Sequence, residues 1–141
     1  MLQRIDLKLA GIVGAMMALC GIGVALAMLS GFEHWITDNV GPVAFLLAAG
    51  VGAGLAGLAT YGLFGRSGLG GVLLAVLGAI AATGLGSGLA GMMLLPLQDF
   101  ELVLAALVFS AISPIVVIWG VAMAIVHWAT GRNRARMSVS G

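Results

Sequence analysis

In 141 residues the chain carries 62% hydrophobic and 8% charged residues, with a net charge of +1 and a mean hydropathy of +1.20. A soluble domain carries about a quarter charged residues, so the composition excludes a water-soluble fold and makes lipid the solvent. The length fits one domain, and the single cysteine, Cys20, excludes an internal disulfide.

The amino-terminal Met1–Lys8 is short, polar and basic, with Arg4 and Lys8 around Asp6. Leu9–Leu29 is the first apolar run. At about 1.5 Å per residue it can cross a hydrocarbon core of roughly 30 Å. Ala25-Leu26-Ala27 resembles a signal-peptidase site, but the run is longer than the usual h-region of about 7–15 residues. Leu19 also occupies the small-residue position that a lipoprotein signal needs before Cys20. The run is therefore read as a span.

Ser30–Asn39 reads as the first polar loop. Phe32, Trp35 and Ile36 fall on one side of a short helical turn, with Glu33, Thr37 and Asp38 facing water. That pattern suits a segment resting on the membrane surface. Pro42 stands at the start of the second helix, where a missing N–H costs little. The second span is 43–64, with Tyr61 near its end at interface depth.

The link Phe64-Gly65-Arg66-Ser67-Gly68 is short enough to force the next helix antiparallel. The third span runs over about 69–95, and Pro96, with Gln98 and Asp99 beyond it, ends it. After a brief acidic loop, 96–101, the fourth apolar run is 102–129. Pro114 removes the backbone bond to the Ser110 carbonyl and predicts a kink, with Ser110 and Ser113 able to re-satisfy the freed groups. Trp128 marks the far interface, and a basic tail with Arg132, Arg134 and Arg136 follows.

The two central spans share a repeat. Gly50–Gly57 and Gly84–Gly91 both read G-x-G-x-G-L-A-G. Such dense glycine would ruin a water-soluble helix, but in lipid it lets two backbones approach closely enough for packing contacts to hold them. Gly50, Gly54, Gly57, Gly84, Gly88 and Gly91 are the expected helix-packing residues, with Gly54 facing Gly88 across an antiparallel hairpin. Packing against another subunit and a backbone-lined permeation path are the alternatives for the same glycines. Phosphate cradling is excluded, because a nucleotide loop follows a strand and opens a helix at a water-facing surface.

All 6 Lys and Arg fall at Arg4, Lys8, Arg66, Arg132, Arg134 and Arg136. With four spans they share one side, and Glu33, Asp38, Asp99 and Glu101 share the other. The positive-inside rule puts the basic side, and with it both termini, in the cytoplasm. Three or five spans would scatter the basic residues. The arginines of the tail, Arg132, Arg134 and Arg136, are also expected to attract anionic lipid.

No Asp, Glu, Lys or Arg lies inside any of the four runs. Proton or cation coupling usually uses an intramembrane ionisable group. This argues against a rotary-ring proteolipid and against the small multidrug exporters, both of which need a membrane-embedded carboxylate. His34 and His127 are placed about a membrane thickness apart, so they cannot share a haem within one subunit. Each is read as an interfacial residue, beside Trp35 and Trp128, with a single metal or quinone contact as the alternative. The set Glu33, His34 and Asp38 has no diagnostic metal-ligand spacing. Trp119 reads as a packing or lipid-facing residue, or else as a cofactor contact, and Thr83, Ser110 and Ser113 can bond across helices.

The sequence thus predicts an all-α membrane protein: a four-helix transmembrane bundle in one domain, with a glycine-rich central hairpin. The expected function is that of a small integral membrane scaffold or accessory subunit, acting through helix packing with itself or with a larger membrane complex. A minimal oligomeric transporter or channel for a small solute is the alternative. No enzymatic activity, cofactor, metal or nucleic-acid partner is expected. The expected partners are membrane lipid and either a homo-oligomer or a larger complex. The expected location is the bacterial inner membrane.

Overall fold

The computed structural model describes residues 2–94 and 112–139, with side chains described for 7–30, 40–94 and 112–137. The described residues form an all-α four-helix bundle whose four helices are long and apolar enough to span a membrane. Helix α1 is Leu2–Asn39, α2 is Pro42–Thr60, α3 is Gly68–Leu94 and α4 is Ile115–Val139. A single turn of 3-10 helix, Tyr61–Leu63, extends α2.

Helix α1 differs from expectation. Its apolar span, Leu7–Ser30, agrees with the predicted run, but the backbone stays helical through Asn39. No loop begins at Ser30, whose Oγ donates to the Ala27 carbonyl at 2.7 Å. The polar segment contains no proline to remove a backbone bond, so the helix continues beyond the apolar stretch. The turn comes instead at Gly41, where φ is 78°, a conformation glycine adopts without a Cβ penalty. Pro42 follows at the start of α2, as its missing N–H predicts. The side chains of Phe32, Glu33, His34, Trp35 and Asp38 lie outside the described residues.

The fourth helix also differs. Backbone is helical at Ile112, bends at Ser113, turns at Pro114 and restarts at Ile115. The Val116 and Val117 amides donate to the Ser113 and Pro114 carbonyls, each at 3.1 Å. The Ile115 amide donates to Ser113 Oγ at 3.3 Å. Regular helix is thus interrupted at Ser113 and Pro114, where the sequence predicts a kink, and Ser113 caps the start at Ile115. The described apolar helix is Ile115–Met137, which runs past the predicted end at 129, so the arginine tail is its last turns, and 102–111 lie outside the described residues. Pro96, Asp99, Glu101 and Ser110 lie outside the described residues.

The helices alternate in direction. Gly14 of α1 lies against Leu58 of α2, and Gly21 against Ala53, so these helices run antiparallel. Gly52 lies against Gly86, and Leu63 against Gly78, so α2 and α3 do too. Helix α1 is in most extensive contact with α2, then α2 with α3 and α1 with α4. The core between them holds Val13, Met17, Ala56, Phe64, Ala75, Ala79, Ala82 and Val126. Small residues dominate it, as they do where lipid gives no hydrophobic drive and close backbone approach supplies the contact energy. The start of α1, the α2–α3 link and the end of α4 all lie at one end of the bundle. That end holds Arg4, Lys8, Arg66, Arg132, Arg134 and Arg136.

Candidate functional site: glycine faces and a polar clasp

Each glycine repeat divides its glycines among different neighbours. A Cβ built on Gly50 would stand 2.9 Å from Ile22 Cγ1, one on Gly54 3.3 Å from Ala18 Cβ, and one on Gly57 2.8 Å from Met17 Cβ. All three face α1. Spaced by four and three, they share one side of α2, since consecutive helical residues are about 100° apart. Gly52 lies on the other side. A Cβ there would strike the Gly86 carbonyl oxygen and stand 3.1 Å from the Ala90 amide. From α3, a Cβ on Gly86 would meet Ala53 Cα at 3.3 Å.

The two repeats therefore do meet, at equivalent positions, but through Gly52 and Gly86. The expected pair is not brought together: Gly54 packs on α1, and a Cβ on Gly88 meets nothing within 4 Å. Gly84 is open in the same way, and Gly91 is buried on α3. Sequence reasoning also missed Gly14 and Gly21. A Cβ on Gly21 would sit 2.7 Å from the Ala49 carbonyl, so α1 supplies its own small residues to the α2 contact. The signal was present, since Gly14, Ala18 and Gly21 recur at spacings of four and three.

At the basic end, α4 clasps the link between α2 and α3. Gly65 takes φ of 76°, and its N–H donates to His127 Nδ1 at 3.1 Å. As an acceptor, Nδ1 carries no proton in this arrangement, which puts the ring hydrogen on Nε2. Arg134 Nε donates to the Phe64 carbonyl at 3.1 Å, and Nη2 to the Tyr61 carbonyl at 3.3 Å. Arg66 Nε donates to the Gly62 carbonyl at 3.0 Å. A helix leaves its last carbonyls unpaired and its carboxyl end partly negative, so two guanidinium groups at the end of α2 answer both needs. Thr130, fully buried, returns its hydroxyl to the Val126 carbonyl at 2.6 Å and packs under Gly65. His127 and Arg134 thus have defined inward partners, and no arrangement of the sequence pattern alone singled these out.

Halfway up the bundle, Trp119 Nε1 donates to Thr83 Oγ1 at 2.8 Å, and that hydroxyl donates to the Ala79 carbonyl at 2.8 Å. Trp119 packs against the core, so it joins α4 to α3 and its polar atom is satisfied in an apolar setting. Arg132 and Arg136 are exposed. The Arg132 guanidinium carbon stands 4.7 Å from the centre of the Trp128 ring. Of the three tail arginines, only Arg134 turns inward. Among the described residues no three metal-ligating side chains come together.

Arg134→Gln is expected to lower thermal stability in detergent by about 2 kcal/mol, because a charged donor contributes about 1.5–3 kcal/mol and water at this end can meet part of the loss. Arg136→Gln should melt like the wild type. Equal melting of the two variants would mean that the clasp contributes nothing. A scan of family models finds no match to this chain, and neither do searches of curated proteins and of solved structures.

Proposed function

We propose that this chain is a small, non-enzymatic integral membrane scaffold or accessory subunit, acting by helix packing with itself or with a larger complex in the bacterial inner membrane. The reading rests on one observation. Of the described glycines with open space around them, only Gly84 and Gly88 lie four apart on one helix. Small residues at that spacing let a second backbone approach closely. Inside the bundle, every comparable close approach in α2 is filled by a neighbour. On α3 the same device faces outward, beside the exposed Leu77, Ile80 and Leu85. The gathering of all six basic residues at one end supports a cytoplasmic placement of that end.

Gly84→Leu and Gly88→Leu test the reading in mild detergent. The wild type is expected to elute with a mass well above its 14.2 kDa, through bound protein or further copies. Each leucine variant should lose that extra mass while its melting temperature holds. A wild type that elutes as a single chain, or variants that keep their full complement, would overturn it.

A further inference from the structure

Helix α4 presents two faces of different character. Trp119, Met123, Val126, His127, Thr130 and Arg134 face the bundle. On the opposite side Val117, Val121, Ile125, Trp128, Arg132 and Arg136 follow one another at spacings of three and four, so they form one stripe along the helix. The first four are 55–65% exposed, and both arginines are exposed. The order along the stripe is aliphatic, then aromatic, then cationic.

We propose that this stripe is a binding track for one anionic phospholipid of the leaflet at the basic end. An acyl chain lies along Val117, Val121 and Ile125. Trp128 sits at the hydrocarbon–headgroup boundary, where an amphipathic ring is favoured. Arg132 is one helical turn further on, about 6 Å along the axis, at the depth of a lipid phosphate. Its guanidinium is held over the Trp128 ring at 4.7 Å, and that cation–π contact fixes the plane while leaving N–H groups free to fork onto a phosphate. Arg136, another turn beyond, meets the outer part of the headgroup. Arg134 takes no part, because Phe64 and Tyr61 carbonyls occupy it. A partner helix would match the aliphatic part of the stripe but leave two guanidinium groups without counter-charge. An anionic lipid matches both parts at once.

The test is lipid retention measured by native mass spectrometry on protein exchanged into mixed phosphatidylglycerol and phosphatidylcholine. The wild type is expected to retain phosphatidylglycerol preferentially. At about fivefold per surface arginine, Arg132→Gln with Arg136→Gln should reduce that preference about 25-fold. Lys8→Gln removes an exposed charge at the same end but off the stripe, and should change it little. Melting in phosphatidylcholine alone should be the same for all three, which separates the site from folding. An unchanged preference in the double variant, or an equal loss in Lys8→Gln, would overturn the proposal. So would displacement of the lipid by millimolar inorganic phosphate, which would indicate an anion site without a lipid track. A fall in oligomeric mass in the double variant would assign the stripe to a second copy instead.

Discussion

Gly52→Leu is expected to melt far below the wild type, with a loss of about 3 kcal/mol or more, and Gly86→Leu to follow it closely. Overpacking a core costs about 1–3 kcal/mol where side chains can shift. Here the obstacles are backbone atoms, the Gly86 carbonyl and the Ala90 amide on one side, and Ala53 Cα on the other. Neither helix can yield without moving as a whole. Lipid is as apolar as leucine and gives no drive to close the gap, so separation forfeits the packing contacts along the hairpin. The double variant should lose less than the sum, because the first substitution already breaks the shared contact. Gly54→Leu with Gly88→Leu should behave otherwise. The first disturbs α1 and the second meets open space, so their effects should add. Leucine at the exposed Val43 or Val72 provides the control. Additive losses at Gly52 and Gly86 would show that the repeats do not pack on each other.

Gly65→Ala is expected to cost about 3 kcal/mol, combining two penalties at one residue. A side chain at φ of 76° costs about 1–2 kcal/mol in the left-handed region. Its Cβ would also stand 2.7 Å from the Gly131 amide and the Thr130 carbonyl carbon of α4. Relief requires the link to lift from α4, which lengthens the Gly65 bond to His127 and draws the Phe64 carbonyl from Arg134. Gly68→Ala isolates the first penalty: its φ is 79°, with nothing within 4 Å. Gly68→Ala should therefore lose only about 1 kcal/mol of the left-handed cost. Melting curves of the two alanine variants in one detergent measure the contact with α4 as their difference. If the curves coincide, α4 does not clasp the link.

Hydropathy and charge made the architecture legible. Helices α2 and α3 agree with the predicted spans within a few residues, and the basic residues gather at one end as four spans require. The repeat also announced a close approach. Which glycine met which helix was not legible, because G-x-G places successive glycines about 200° apart, on opposite sides of the helix. Each repeat therefore offers two glycine faces, and in lipid neither face is marked by polarity. Packing decided it: Gly50, Gly54 and Gly57 lie against Ile22, Ala18, Met17 and Gly14 of α1, which leaves Gly52 for α3. The helical continuation past Ser30 was hidden by polar residues that suggested a loop, although nothing in them stops a helix. At Pro114 regular helix is interrupted, and the Ser113 hydroxyl accepts from the Ile115 amide where it restarts. Arg134 resembled its neighbours in sequence. Its angular position on α4, which brings it to the Tyr61 and Phe64 carbonyls at the end of α2, sets it apart.

The glycines of the two repeats divide into those packed between helices of this chain and those with open space around them. Melting temperature and mass in mild detergent, measured together on Gly52→Leu and Gly88→Leu, test that division most directly. Gly52→Leu is expected to melt early, whereas Gly88→Leu is expected to melt with the wild type but lose the extra mass. Early melting of Gly88→Leu, or a normal melt of Gly52→Leu, would contradict it.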